Sequence, residues 1–320
     1  MSIRRIAIVG VLLAALAIPS IVFAQARMKV LLDTDIGTDI DDAWALGLLI
    51  ASPNVDLVGV TITDGDTAAR AKVACKLLHV TGRDEVPVAV GRRTALPNGV
   101  DYQFTWAEEF TAKQPVTQSA ADFIVDTLRA HPGEITLVAV GPLQNVADAI
   151  RKEPNLGTLA KRVVLMSGSI GRNAWSPWAV PEWNVARSTA DAQLVYSTLS
   201  MTTVPLDSTT YVTLKPEERA RLQSHNSPLT RALEALYRLW LNDQSTRMTL
   251  HDQMAVAETL RPGAFFSNCE SMPIKVDERG YTRVDAAAGK PQTICLGPKR
   301  DEFMKFYLDG LMAFGAPAKP

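Results

Sequence analysis

Short apolar runs alternate with helix-like stretches through the first two-thirds of the chain, and this alternation limits the fold more than any other feature. Residues 30–32, 57–63, 86–90, 135–140, 163–166 and 202–206 read as buried strands. Between them, residues 43–50, 68–80, 120–130, 143–151 and 190–199 carry helical patterns, with Ser119 and Ser188 placed as caps. Strands and helices at this spacing predict βαβ units. The expected fold is therefore α/β, with a mostly parallel central sheet covered by helices on both faces. In such sheets a ligand sits at the C-terminal ends of the strands, so the active site is expected there.

The last third changes character. Charged helices are expected near 216–223 and 229–241, a further helix over 251–260, a hairpin-like stretch with Gly280 and Gly289, and a closing amphipathic helix over 301–314. No Ser/Gly/Pro linker sets this part off, so residues 25–320 read as one continuous domain. Residues 1–24 read as an export signal: Arg4 and Arg5, an apolar run over 6–18, a break at Pro19-Ser20, and small residues up to Ala24. Ala24-Gln25-Ala26 offers a second cut site. The apolar segment 6–24 is also just long enough to span a bilayer uncleaved, but Pro19 and the small residues favour cleavage. That places the mature chain in the periplasm or outside the cell, with no second apolar stretch to hold it in a membrane.

Charge and cysteines narrow the partners. A net charge of -1, from 33 basic and 34 acidic residues, argues against a nucleic-acid surface. Three cysteines are too few for a disulfide framework. Cys269 and Cys295 could pair in an oxidising compartment, although spacing alone does not decide it; Cys75 reads as a buried thiol.

The strongest local feature is Asp33-Thr34-Asp35-Ile36-Gly37-Thr38-Asp39-Ile40-Asp41-Asp42, between a predicted strand and a predicted helix. Five carboxylates in ten residues repel one another at close range. A solvated acidic loop is the plain alternative. Acids set between a buried strand and a buried helix instead call for a cation, and hard oxygen ligands select Ca²⁺ or Mg²⁺. The helix start near Asp41 also favours negative charge. Gly37 lies at the wrong offset for an EF-hand, and it stands where an Asp-x-Asp-x-Thr phosphatase would need Thr. Two weaker constellations are Pro181-Glu182-Trp183-Asn184, after the turn Met166-Ser167-Gly168-Ser169, and His251-Asp252 at a helix start.

Taken together, these segments resemble the inosine-uridine-preferring nucleoside hydrolases. The aspartate run through Ala43 is similar to that family's N-terminal signature. Gly82-Arg83, Val86-Pro87-Val88, Pro132-Gly133-Glu134-Ile135-Thr136-Leu137, Gly141-Pro142-Leu143-Gln144-Asn145, Glu182-Trp183-Asn184, Pro205-Leu206-Asp207 and His251-Asp252 continue the resemblance in order. It implies cleavage of the N-glycosidic bond of a small-molecule ribonucleoside, with Ca²⁺ as cofactor; a homo-oligomer is left open. By the same resemblance, Asp35, Asp42, Asp252 and the Val140 carbonyl are the calcium ligands, and Asp35 is the general base on calcium-bound water. Asp41, Glu182 and Asn184 hold the ribose, with Trp183 counted beside them, and Asp33 supports the cluster from behind. His251 assists departure of the base.

The chemistry is consistent with that set. Carboxylates stabilise an oxocarbenium-like state, an Asp accepts one proton, and an imidazole can donate near neutral pH. Departures bear on substrate identity. Asp66 stands where the family commonly has Asn, adding a charge expected close to the metal and ribose. Ser188 replaces an Asp and is expected to cap a helix. Asn173 and Ser176 compete for the place of a ribose-binding Asn, and the 96–106 loop lacks the family's usual glycine and aspartate pattern. A hydrolase of another N- or O-riboside, or a non-catalytic exported binding protein, are the other readings.

Overall fold

The computed structural model describes residues 26–96, 100–241, 248–288 and 290–315; the expected export signal and Gly289 lie outside them. In chain order, β1 (Met28–Thr34), α1 (Asp41–Ala51), β2 (Val55–Ile62), α2 (Thr67–Val80) and β3 (Val88–Val90) come first. A 3-10 turn at Phe104–Trp106 precedes α3 (Ala120–Ala130), β4 (Ile135–Ala139), α4 (Gln144–Lys152), α5 (Leu156–Leu159) and β5 (Arg162–Met166). Next come α6 (Trp183–Ala186), α7 (Thr189–Thr198), β6 (Thr202–Val204), α8 (Leu206–Thr209), α9 (Pro216–His225), α10 (Pro228–Leu241) and α11 (His251–Leu260). The chain closes with β7 (Phe266–Val276), β8 (Thr282–Val284), β9 (Pro291–Pro298) and α12 (Arg300–Ala313).

The strands form one sheet in the order β3-β2-β1-β4-β5-β6-β9-β7-β8. From β3 to β9 neighbours run parallel, and β7 and β8 are added antiparallel. This is the expected α/β architecture, with the C-terminal hairpin region drawn into the main sheet. β1 pairs with β2 on one side and β4 on the other. The chain thus leaves β1 in one direction and later returns to its other flank. That reversal is a topological switch point, where the loops after β1 and β4 part and leave a crevice.

Side chains alternate across the sheet with period two, and the two faces feed two cores. Val30, Leu32, Val138, Val140, Val164 and Met166 pack with α1, α2, α10, α11 and α12. Leu31, Leu137, Ala139, Val163 and Leu165 point the other way, toward α3, α4 and α7. Strands covered on both faces must be apolar at every position, which is why they read as unbroken runs.

Helix α1 is buried along its whole length, and α11 is buried from His251 to Thr259. The two pack against each other, and α11 also lies on β4, β5 and β6. Helices enclosed on all sides lose the amphipathic stripe of a surface helix. Both start at the C-terminal edge of the sheet.

Two sequence expectations about caps and cysteines resolve here. Ser119 caps α3, its Oγ accepting from the Asp122 amide at 3.2 Å. Ser188 does not cap α7: its backbone (φ -146°, ψ 59°) departs from the extended cap conformation, and its buried Oγ has no hydrogen-bond partner. Cys269 and Cys295 face each other across the β7–β9 ladder and are joined by a disulfide, while Cys75 is buried and free. Among the described residues no helix is long and apolar enough to cross a membrane.

Candidate active site

The crevice at the switch point holds a cavity of about 510 Å³. A larger one, about 840 Å³, opens at the opposite end of the sheet beside the start of β1 and contains no acidic cluster. The first has the composition of a reaction site. Asp35, Asp41, Asp42 and Asp252 form its base, and Val140, Met166, Glu182 and Asn184 one wall. Tyr102, Trp175, Trp183, Trp240 and His251 also line the cavity.

Each acid is placed by a distinct element. Asp35 follows β1, and Gly141, which follows β4, makes room for it: a Cβ there would lie 2.8 Å from both Asp35 N and Asp35 Oδ1. Asp41 and Asp42 occupy the first turn of α1, and Asp252 that of α11, where the helix dipole favours negative charge. Gln253 Nε2 donates to the Asp41 carbonyl at 2.8 Å and ties the two helix starts together. Thr34 Oγ1 donates to Asp42 Oδ1 in a short hydrogen bond, and the Asp35 amide donates to the same oxygen at 3.2 Å.

The result is a dense negative site. Oxygens of Asp41, Asp42 and Asp252 come within 4.8 Å of one another. Burial, with the neighbouring aspartates adding to it, holds these three carboxyls well above the usual range. Burial also lifts Asp35 to about 6, although the Arg70 guanidinium opposes it. Three buried carboxylates, with the nearby guanidinium of Arg70 set against Asp35, are a donor set for a hard cation, so the residues present fit a metal ion.

The ribose-facing candidates divide. Glu182 caps α6 and accepts from the amides of Gly168, Asn184 and Val185 at 2.8–3.3 Å; burial lifts it to about 7. Asn184 Nδ2 donates to the carbonyls of Val140 (2.7 Å) and Met166 (3.0 Å), so it spans the ends of β4 and β5. Trp183 is half exposed at the rim.

Asp66 and Asn173 lie outside the lining of the cavity. Asp66 caps α2, with Oδ1 accepting from the Ala69 amide and Oδ2 paired with Arg93 at 2.7 Å. Asn173 is buried and folds its own loop: Oδ1 accepts from the Trp175 and Ser176 amides at 2.9 Å. In each case local backbone amides compete successfully for the short polar side chain.

Asp33 lies behind the site in β1, fully buried, with Oδ1 accepting from Thr61 Oγ1 (2.6 Å) and Asn145 Nδ2 (2.7 Å). Burial lifts its carboxyl to about 7. His251 opens α11 with Nδ1 2.7 Å from Thr209 Oγ1 and its ring edge-on to Trp175 at 5.3 Å. Burial lowers it to about 4, so the ring is neutral near pH 7, not the cation that a free imidazole near neutrality could become.

The sequence profile of the inosine-uridine preferring nucleoside hydrolases matches residues 30–305. This chain belongs to that family. A non-specific ribonucleoside hydrolase RihC of Salmonella newport is 32% identical over 274 residues, covering 80% of this chain and 86% of that protein. A probable uridine nucleosidase 2 of Arabidopsis thaliana is 28% identical over 276 residues, covering 80% and 84%. Among solved structures, a purine-preferring ribonucleoside hydrolase from Gardnerella vaginalis shares the fold at a TM-score of 0.79. It has 22% identity and covers 90% of this chain and 100% of that one.

Several residues of this nucleoside hydrolase site escaped the sequence reading. Arg70 of α2 is fully buried, 3.8 Å from Asp35. Asp64, also fully buried, accepts from Arg187, Thr94 and Gln144. An Asp two residues before Asp66 and an Arg four after it carry no recognisable spacing. Gln144 and Asn145 were visible only as part of a motif, without a role. Tyr102 and Trp240 come from the 96–106 loop region and from α10, far apart in sequence.

Proposed function

We propose that this nucleoside hydrolase cleaves the N-glycosidic bond of ribonucleosides with a calcium ion held by Asp35, Asp42, Asp252 and the Val140 carbonyl. The observation that carries this reading is the meeting of Asp35, Asp41, Asp42 and Asp252 at the switch point. When bound, calcium supplies charge that orients and acidifies water and neutralises the acids around it. Asp35 takes the proton from the attacking water. Asp41 and Glu182 accept from ribose hydroxyls, and Asn184, whose amide nitrogen is already engaged, offers its oxygen. The buried negative charge stabilises the ribosyl group as it becomes cationic. His251 acts as a neutral hydrogen-bond donor to the departing base; with Nδ1 committed to Thr209, Nε2 is the ring nitrogen left for it. Asp33 and Asn145 brace β1 beneath the cluster.

The test is release of reducing sugar from purine and pyrimidine ribonucleosides, with and without chelator. Sugar release that stops on chelation and returns with calcium supports the proposal. Full release in chelator would refute the metal, and no release from any ribonucleoside would refute the substrate class. We further propose an exported protein, with residues 1–24 as signal and 25–320 as one catalytic domain. The Cys269–Cys295 disulfide supports export, because such pairs persist in oxidising compartments. N-terminal sequencing of protein from its native compartment should begin near Gln25 or Arg27; retention of Met1 would refute it.

A further inference from the structure

Arg70 lies in the first turns of α2, wholly buried, and its guanidinium is fixed from two sides. Nε donates to the Asp64 carbonyl at 2.8 Å, and Nη1 to the Ile36 carbonyl at 3.2 Å and Thr38 Oγ1 at 3.3 Å. Nη2 has no hydrogen-bond partner; it lies 3.8 Å from Asp35 Oδ2 and 4.0 Å from Asp64 Oδ2. A buried donor left unpaired is costly unless a partner reaches it in the working state. Asp64 is already engaged, Oδ2 accepting from Arg187 Nε at 3.2 Å and Nη2 at 3.1 Å, and Oδ1 from Thr94 Oγ1 at 2.7 Å and Gln144 Nε2 at 3.1 Å. Asp35 stands at the cavity and needs to shift by less than an ångström to meet it.

We propose that Arg70 is the positioning residue of Asp35: its Nη2 closes on Oδ2 and turns the other carboxylate oxygen to the cavity, and its fixed charge weakens the cluster's hold on a divalent cation. The first half rests on Asp35 being the base; the second does not. A guanidinium suits the task because it is always charged and its planar fork is rigid once two of its nitrogens are bound. A positive charge this close to the acids also opposes a second positive charge among them.

The test combines calorimetric titration of calcium into metal-stripped protein with steady-state kinetics. In Arg70→Met, calcium should bind about tenfold more tightly while kcat falls about tenfold and KM stays within about twofold. Arg70→Lys keeps the charge without the fork, so calcium affinity should stay near that of the parent while kcat still falls. In an Asp35→Asn background, Arg70→Met should cause no further loss of kcat. Unchanged affinity and unchanged kcat in Arg70→Met would overturn the proposal, as would an equal kcat loss with and without Asp35. Should Arg70→Met not fold, full turnover in Arg70→Lys would overturn it. A parent rate in Asp35→Asn would remove the base assignment and the positioning half with it, and the calcium titration of Arg70→Met would then decide the charge half alone.

Discussion

With its ring uncharged near neutral pH, His251 can help a base leave only by donating a hydrogen bond, and that help depends on how poor the leaving group is. His251→Ala should slow natural ribonucleosides by about 10²-fold or more and leave a nitrophenyl riboside almost unaffected. Equal losses on both substrates would assign the ring to packing against Trp175 instead. Asp35 is tested differently, because the proposed base on the attacking water would serve every substrate. Asp35→Asn should cut kcat by about 10²–10⁴ on both kinds of substrate, since an amide cannot accept the proton. An unchanged rate at saturating nucleoside would show that another group is the base. Resemblance to the family singled out Asp35 and His251; pattern alone placed them only in an acid-rich turn and at a helix start. Asp66 and Asn173 instead bind their own backbone, as a short polar side chain near an element's end readily does.

The elements that matter most are α1 and α11, two enclosed helices whose first turns carry three of the acids. The close approach of the loops after β1 and β4 depends on Gly141, where any side chain would meet the Asp35 backbone and Thr63 at 2.7–2.8 Å. Backbone cannot yield as a flexible side-chain tip does. Gly141→Ala should therefore cost about 1–3 kcal/mol by chemical denaturation and lower kcat/KM by displacing Asp35. Stability and activity both matching the parent would mean that the loop after β4 moves freely. The helices themselves were legible from residue patterns to within a few positions, α1 as 41–51 against an expected 43–50. The packing of α1 on α11 was not. About two hundred residues separate them, and no local period records which buried helix lies beside which.

At the scale of the whole molecule, the acid cluster makes stability depend on cation and pH together. Burial lifts Asp35 to about 6, so without a cation the folded chain retains a proton that the unfolded chain has already lost. Stability should then fall as pH rises from about 4, the unfolded carboxyl value, through about 6. A bound divalent cation keeps the acids ionised and removes that penalty. The rise in Tm given by calcium over chelator should accordingly be larger at about pH 7 than at about pH 5. An equal rise at both would separate the cation from these carboxyls. The sequence by itself determined the order of strands and helices, the double-sided burial of the strands, and an acid-rich turn between the first strand and the first helix. These depend on periods of two and 3.6 residues and on composition within one turn, all local quantities. The return of β4 to the flank of β1 was decided only in three dimensions. So were the entry of β9 beside β6, the pairing of Asp33 with Asn145, and the burial of Arg70 against Asp35. Each of these depends on which distant segment fills the space next to a given face, and that choice is made by the packing of the sheet and its two helical layers together.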